Sequence, residues 1–473
     1  METPTNNLDR LTGIDATFLS NESENSHMHV GGIMIFEGPP PAYDEFVDHI
    51  EARLSNVPRY RQKLVHPPLE AGRPLWVDDS SFNLSYHMHH TALPSPGGDE
   101  DLAALADRIF SHSLDRSKPL WEMWLVQELE GDRFAIIGKS HHAMIDGISG
   151  VDIATVIFDL TPDAEPQVPD QRWRAEPEPS SLDLLRRGAG DLAGAPKRIG
   201  EGAIGAVLNP SSVLGRVTSG VEGLGEIARA FADPAPEVPL NVEIGPHRRI
   251  AWSQAELADL KRVKNTFDTT VNDVVLAMAA GAVRKWLISR DVPTEDLELR
   301  AMVPVSVRGE DERGQLGNRL ATMRAPLPVY EPDPVTRLDI VSASMDGLKD
   351  SKQALGAEVI ARLNDFAPPT ILAQAARINF STRLFNLLVT NVPGPQVPLY
   401  VLGRKMLTSI PVAFLAKNHA LAVAVMSYNG RLSIGLLGDY DAMPDIGLIS
   451  DGMGEALDEL LQAADALEKA RPA

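Results

Sequence analysis

Alternating apolar and polar residues predict two consecutive strands in the first third of the chain. Residues 120–129, LWEMWLVQEL, alternate in the way that is typical of a half-buried strand. The turn-forming residues EGDR follow at 130–133, and FAIIGKSHHA at 134–143 predicts a second strand. The pattern therefore predicts a hairpin whose second strand ends at two adjacent histidines, His141 and His142.

Helical periods are interspersed with further strands in both halves of the chain. Apolar residues at helical spacing predict helices at 42–57, 101–114, 271–288 and 445–470. Ser253 and Glu256 have the spacing of a capping box and predict a helix that starts there. Short apolar runs predict strands at 29–38, 299–307, 318–329, 383–392, 420–430 and 431–439. Since no regular βαβ order emerges, the predicted fold class is α+β with mixed or antiparallel sheets.

Proline-rich segments divide the chain. Residues 161–180 and 233–239 are rich in proline, and 181–232 contain only weak amphipathic helical patterns. We therefore predict an N-terminal domain at 1–160, a crossing linker at 161–240 and a C-terminal domain at 241–473. Residues 181–232 either contact membranes or pack as an interdomain linker, and the pattern slightly favours the packed linker.

The composition of the chain excludes several classes of protein and of catalytic site. The 473 residues carry a formal net charge of −21, which disfavours a nucleic-acid binder. Cysteine is absent, so disulfides, zinc–thiolate sites and a cysteine nucleophile are excluded. The N-terminus lacks the pattern of a signal peptide, and no apolar run reaches the length of a membrane span. We expect a cytoplasmic protein, with peripheral contact at the inner membrane or at lipid inclusions left open.

The histidine pair is the strongest candidate for chemistry. Only 12 histidines occur in the chain, and two of them stand together in KSHHAMIDGISG at 139–150. Histidine moves protons near neutral pH, so His142 at a strand end is a candidate general base. Asp146 either orients the imidazole or fixes the loop through an arginine, and Gly147 suits a tight turn. From the residues alone, a polar strand end followed by an ordinary Asp-Gly turn fits equally well.

The sequence disfavours dinucleotide-binding, P-loop, serine-hydrolase and metal sites. No GxGxxG follows a predicted strand, and neither GxxxxGK[ST] nor GxSxG occurs. His87 and His89 would share one strand face, but no third ligand accompanies them, so we predict no metal site.

The segment HHAMIDG resembles the HHxxxDG motif of the coenzyme A-dependent acyltransferase superfamily. More narrowly, the chain resembles the bacterial wax ester synthase/diacylglycerol acyltransferase family over nearly its full length. NDVVLA and TNVPGP make this resemblance more specific than the histidine motif alone. The matching segments are 11–19, 28–32, 74–79, 119–126, 272–277, 302–308, 317–323, 390–395 and 427–436.

The resemblance implies roles for particular residues. His142 corresponds to the catalytic base, His141 and Asp146 to its supporting residues, and Gly147 shapes the loop. Further active-site support is implied for Asn272, Asp273, Thr390 and Asn391, and coenzyme A contacts for Arg308, Asn318 and Arg319.

Local alternatives to these roles stay open. Thr270 and Asp273 would equally form a capping box at the start of a buried helix. The Thr390 hydroxyl is a candidate hydrogen-bond donor to the reaction's oxyanion. TNVPGP is equally typical of a strand followed by a Pro-Gly turn. Arg308, Asn318 and Arg319 suit phosphate recognition, but structural ion pairs are favoured for them.

The resemblance also implies a fold and an activity. Two domains resembling chloramphenicol acetyltransferase would enclose an active-site channel. Acyl-coenzyme A is the implied co-substrate, diacylglycerol or a long-chain alcohol is the acceptor, and no cofactor is expected. Two alternatives remain: a condensation-type enzyme that uses a carrier-bound acyl group, and a non-catalytic protein of lipid surfaces.

Overall fold

The computed structural model describes residues 9–68, 72–144, 157–165, 173–186, 233–306, 320–350 and 380–470. Within these ranges the structure contains two six-stranded sheets and one two-stranded sheet. Helices pack against both large sheets, and two hydrophobic cores result. The α+β class predicted from the sequence is confirmed.

The first large sheet carries the histidine pair. Its order is β11-β12-β1-β6-β5-β4, and all neighbouring strands are antiparallel except β4 and β5. The predicted hairpin is confirmed as β5 and β6. The strands of this sheet are β1 (His29–Glu37), β4 (Met88–Ala92), β5 (Trp121–Leu129), β6 (Arg133–His141), β11 (Tyr400–Val401) and β12 (Arg404–Val412).

The second large sheet belongs to the C-terminal half. Its order is β7-β14-β13-β10-β8-β9, with β10 parallel to both of its neighbours. Asn429 and Gly430 have positive φ angles and turn the chain between β13 and β14, as their sequence predicts. The strands are β7 (Arg248–Glu256), β8 (Glu298–Ser306), β9 (Leu320–Pro328), β10 (Leu387–Pro393), β13 (Leu421–Tyr428) and β14 (Arg431–Asp439). A separate small sheet pairs β2 (Gln62–Val65) with β3 (Leu75–Asp78).

Helices complete the architecture, and eight of them are defined here by their residues. The four helices predicted by apolar spacing are present as α2, α4, α6 and α8. None of the helices in the described ranges is long and apolar enough to cross a membrane. The helices are α1 (Gly13–Asn21), α2 (Tyr43–Arg53), α3 (Leu84–His87), α4 (Asp99–Ser111), α5 (Leu257–Thr266), α6 (Val271–Ser289), α7 (Pro334–Asp350) and α8 (Ile446–Ala470).

Strand β12 connects the two halves. It comes from the C-terminal half, yet it pairs with β1 from Gly31↔Val412 to Phe36↔Met406. One face of β12 also meets β14, because a Cβ added at Gly435 would lie 1.8 Å from the carbonyl oxygen of Pro411. Glycine at this position therefore lets the two large sheets approach backbone to backbone. The domain boundaries at 160 and 240 stay a prediction.

One local prediction is wrong. Ser253 and Glu256 do not form a capping box, because Ser253 lies within β7 in register with Ile434. Glu256 precedes α5 but makes no side-chain capping hydrogen bond. Pairing with a neighbouring strand satisfies the backbone here, which overrides the local capping signal.

Candidate active site

The histidine pair lies where β6 ends between its two neighbours. His141 is in register with His29 of β1. The His141 N–H donates to the carbonyl of Leu120 at 3.0 Å, and the His142 N–H donates to the carbonyl of Met28 at 2.9 Å. The backbone of the pair is thus held from both sides. A 3-10 turn, His142–Met144, follows immediately.

The side chain of His141 points into the protein and stabilises this turn. His141 is fully buried. Its Nδ1 accepts a hydrogen bond from the Ala143 N–H at 3.0 Å. On the other side of the ring, Nε2 lies 3.7 Å from a carboxylate oxygen of Glu22. His141 therefore acts on the turn that carries His142.

The ring of His142 is enclosed by phenylalanines from both halves of the chain. Phe18 of α1 stacks on it, with ring centroids 3.8 Å apart and planes inclined by 21°. Phe414, which follows β12, meets the same imidazole edge-on at 5.5 Å. Phe380 packs against both phenylalanines at 6.2 and 5.9 Å. His142 itself is half-buried, so the ring lies at the seam between the N-terminal and C-terminal halves.

Burial keeps the two imidazoles neutral. It lowers the pKa of His142 to about 4 and that of His141 to about 3. Both rings are therefore uncharged near neutral pH, and the neutral ring of His142 has a nitrogen lone pair that can accept a proton. The Nδ1 lone pair of His141 is already occupied by the Ala143 N–H. An enclosed, neutral imidazole beside apolar side chains suits the removal of a proton from a poorly soluble alcohol.

A buried lysine fixes the strand that leads to the pair. The Lys139 ammonium group donates to the carbonyls of Ile109 at 2.9 Å and His112 at 3.1 Å. It also lies 3.1 Å from a carboxylate oxygen of Glu122 on β5. These contacts join α4, β5 and β6 two residues before His141.

Comparison with protein families identifies the chain. Residues 11–275 match the wax ester synthase/diacylglycerol acyltransferase catalytic domain, and residues 316–461 match the C-terminal domain of the same family. The chain belongs to the wax ester synthase/diacylglycerol acyltransferase family. It is an acyltransferase.

Relatives of this acyltransferase cover almost its whole length. A Mycobacterium tuberculosis protein described as a diacylglycerol O-acyltransferase is 34% identical over 97% of this chain and 91% of its own. A second one from the same organism is 32% identical over 96% of both chains.

Solved structures support the same assignment. The wax ester synthase/diacylglycerol acyltransferase from Marinobacter aquaeolei VT8 matches with a TM-score of 0.65 and 28% identity, over 97% of this chain and 100% of the other. The first condensation domain of the calcium-dependent antibiotic synthetase matches with a TM-score of 0.59 over 97% of each chain. Since its identity is only 15%, this second likeness shows the fold alone.

Asn272 and Asp273, for which active-site support was predicted, lie in the first turn of helix α6. Asp273 is buried, and its Oδ2 accepts hydrogen bonds from the Thr270 N–H at 3.1 Å and the Thr270 hydroxyl at 2.7 Å. The Asp273 N–H in turn donates to the Thr270 Oγ1 at 3.2 Å. The capping box is therefore present, and the active-site role of Asn272 and Asp273 stays a prediction.

The remaining predicted residues divide into two groups. Thr390 and Asn391 are half-buried in β10, in register with Ala424 and Val425 of β13. The others lie outside the described residues, and their roles stay predictions. They are Asp146, Gly147, Arg308, Asn318 and Arg319.

Two of the three histidines in residues 86–90 contribute packing. The His87 ring stacks on Trp121 at 4.7 Å, and its Nδ1 lies 2.8 Å from the carbonyl oxygen of Trp121. His89 stacks on Trp124 at 4.2 Å. Within the described ranges, no group of three or more potential ligand side chains is arranged to hold a metal ion.

Sequence reasoning missed the aromatic enclosure and Glu22. Phe18 lies in the segment 11–19 that carries the family resemblance, so that segment held a usable signal. Phe380 and Phe414 follow no motif. Only the folded chain brings Phe414 to His142 and Phe380 to Phe18. Glu22 lacks a sequence signal, because only the folded chain brings its carboxylate near His29 and His141.

Proposed function

We propose that this protein transfers an acyl group from acyl-coenzyme A to the hydroxyl of diacylglycerol or of a long-chain alcohol. His142 would be the general base. The observation that carries the proposal is the neutral imidazole of His142, enclosed by Phe18 and Phe414 at the seam between the halves. Relatives described as diacylglycerol O-acyltransferases support the acceptor class.

The aromatic enclosure fits an apolar acceptor. Phe18, Phe380 and Phe414 form one contiguous set of rings beside the imidazole. Such a surface favours alkyl chains over water, and excluding water protects the thioester from hydrolysis. The same rings account for the low pKa of His142, since they leave little room for water around a charged imidazolium.

The reaction requires only one proton carrier in the protein. His142 takes the hydroxyl proton as the acceptor oxygen attacks the thioester carbonyl carbon, and a tetrahedral oxyanion forms. The carbonyl then re-forms as the carbon–sulfur bond breaks. The departing thiolate receives the proton from His142, so the imidazole returns to its neutral form. The products are an ester and free coenzyme A.

The oxyanion needs a hydrogen-bond donor. We assign this role to the Thr390 hydroxyl, which is half-buried on β10 in the C-terminal half. Removal of one such donor typically costs about 3 kcal/mol of transition-state stabilisation, or roughly 100-fold in rate. T390S should therefore retain most of the turnover, whereas T390A should lose it.

Replacing the base tests the proposal. We expect H142A to lower turnover about 100-fold or more, measured as thiol release from a C16 acyl-coenzyme A with diolein as acceptor. His90 provides a matched control, because its side chain is exposed and stacks on Tyr43. H90A should behave as wild type. Near-normal thiol release by H142A would refute the role of the imidazole.

The choice of donor and acceptor decides between related activities. The wild-type protein is offered the acyl group on coenzyme A or on an acyl carrier protein, and the acceptor is diolein or hexadecanol. Transfer from coenzyme A to either acceptor supports the proposal. Transfer from the carrier protein alone indicates a condensation-type donor, and no transfer from either donor to these acceptors would contradict the proposal.

A further inference from the structure

Two buried polar atoms face each other behind the histidine pair without a hydrogen bond. Nε2 of His141 lies 3.7 Å from Oε2 of Glu22. Neither atom is hydrogen-bonded to any other residue in the described part of the chain. The Glu22 side chain is only 9% exposed and that of His141 is 1% exposed, so water does not easily supply the missing hydrogen bonds. The same Glu22 oxygen also forms an ion pair with the Arg116 guanidinium at 3.3 Å. Buried polar groups of this kind normally occur as pairs.

The hydrogen bond on the opposite side of the ring shows which nitrogen of His141 carries the proton in this structure. Since Nδ1 accepts from the Ala143 N–H, the neutral ring must carry its proton on Nε2. That N–H points towards Glu22. The second imidazole near Glu22 cannot compete as a donor, because Nε2 of His29 accepts the N–H of Leu114 at 3.4 Å.

Helix α1 links this pair to the face of His142. The Glu22 N–H closes the helix by donating to the carbonyl of Phe18 at 3.1 Å. Phe18 stacks on His142, while Glu22 faces His141. One helix end therefore contacts both histidines, and the two contacts are coupled through its backbone.

We propose that Glu22 is a positioning residue that holds His141 in its Nε2–H tautomer and thereby fixes the turn that presents His142. The proposal rests on the proposed function, since His142 must be the base for the turn to affect the rate. Glu22 touches no reacting atom. It acts through His141, whose Nδ1 then stays available to the Ala143 N–H.

The charge of Glu22 makes the arrangement sensitive to pH. Burial raises the pKa of Glu22 to about 7, and the Arg116 guanidinium opposes this from 3.3 Å. The other titratable groups that face the carboxyl are His29 at 4.0 Å and His141 at 3.7 Å. Both imidazoles have a pKa below the ordinary value because of burial, so neither changes charge near pH 7. Above pH 7 the carboxylate is the stronger acceptor for the His141 N–H.

Variants of Glu22 test the proposal in the full-length protein. We expect E22A to lower kcat about tenfold at pH 8 with little change in KM, and E22Q to lower it less, because an amide oxygen still accepts. Wild-type kcat should fall as the pH decreases through 7, whereas the E22Q profile should stay flat there. E24A is the matched control, since Glu24 is an exposed carboxylate two residues away.

An independent readout separates this proposal from the proposed function. Nitrogen-15 NMR of the histidine side chains, assigned with H141Q, should show His141 as the Nε2–H tautomer in wild type and a mixed tautomer in E22A. This measurement needs no substrate. Unchanged tautomer and kcat in E22A, or an unchanged pH profile in E22Q, would overturn the positioning role. If E22A does not fold, the E22Q profile decides. Wild-type turnover in H142A would instead refute the base and leave the tautomer result valid.

Discussion

Phe18 and His142 stack face to face, with centroids 3.8 Å apart. One face of the imidazole is therefore covered by a ring from α1, while Phe414 approaches from the side. This restricts the rotation of the imidazole and excludes water from its face. The orientation of the proposed base thus depends on a helix that is distant from β6 in sequence.

Removal of the stacked ring should affect turnover more specifically than stability. F18L keeps an apolar side chain but loses the stack, which is worth about 0.5–1.5 kcal/mol. We expect kcat to fall by up to about tenfold. Phe385 stacks on His419 at 4.1 Å in the C-terminal half and provides the control. F385L should lower the free energy of unfolding while leaving kcat unchanged, and an equal loss of kcat in both variants would contradict the prediction.

The contact between Gly435 and Pro411 should not tolerate a methyl group. A Cβ at Gly435 would overlap a backbone carbonyl, which cannot rotate away. We therefore expect G435A to lower the free energy of unfolding by about 3 kcal/mol or more. At Gly447 in α8, an added Cβ meets no atom within 4 Å. G447A should stay within about 0.5 kcal/mol of wild type in denaturant titrations.

Lys139 is buried and paired with Glu122. Removing the Glu122 charge alone should therefore destabilise the protein more than removing both charges. E122Q leaves an ammonium group in the core with only neutral acceptors, so we expect a loss of about 3 kcal/mol. K139M/E122Q removes both charges together and should be more stable than E122Q alone. Denaturant unfolding of the single and double variants measures this difference. A double variant that is less stable than E122Q would show that the charge is not the cause.

Acid should destabilise the protein partly through His142. Its pKa is about 4 when folded and near 6.5 in an unfolded chain. Between these values the unfolded state binds the extra proton, so stability that is present above pH 6.5 is lost as the pH falls through 4. The contribution is at most about 3 kcal/mol.

The H142F variant keeps an aromatic ring that can stack on Phe18, but this ring cannot take up a proton. We expect the free energy of unfolding of wild type to fall more steeply than that of H142F between pH 6.5 and 4. Glu22 acts in the opposite direction, because its raised pKa favours the folded state at low pH, but it is present in both proteins. Parallel pH curves for the two proteins would contradict the assignment.

The sequence predicted the strands, turns and helices whose own residues form a distinctive local pattern. The β5–β6 hairpin, the β13–β14 turn and helix α6 all follow from alternation, turn residues or apolar spacing. Pattern reading missed β7 and β12, because their pairing partners are far away in sequence and decide their structure. For the candidate site, the sequence predicted His142 and His141. Their contacts with Phe414 and Glu22 depend on tertiary packing, which no short motif encodes.

The position of β12 has a consequence for synthesis of the protein on the ribosome. Strand β1 receives its second partner only from residues 404–412. Until that segment emerges, the nascent N-terminal sheet carries an unpaired edge of the kind that promotes aggregation. Phe414 is translated shortly afterwards, so the aromatic enclosure of His142 is completed only once nearly nine-tenths of the 473 residues have been translated. A fragment that ends before residue 404 is therefore expected to need a chaperone and to lack turnover.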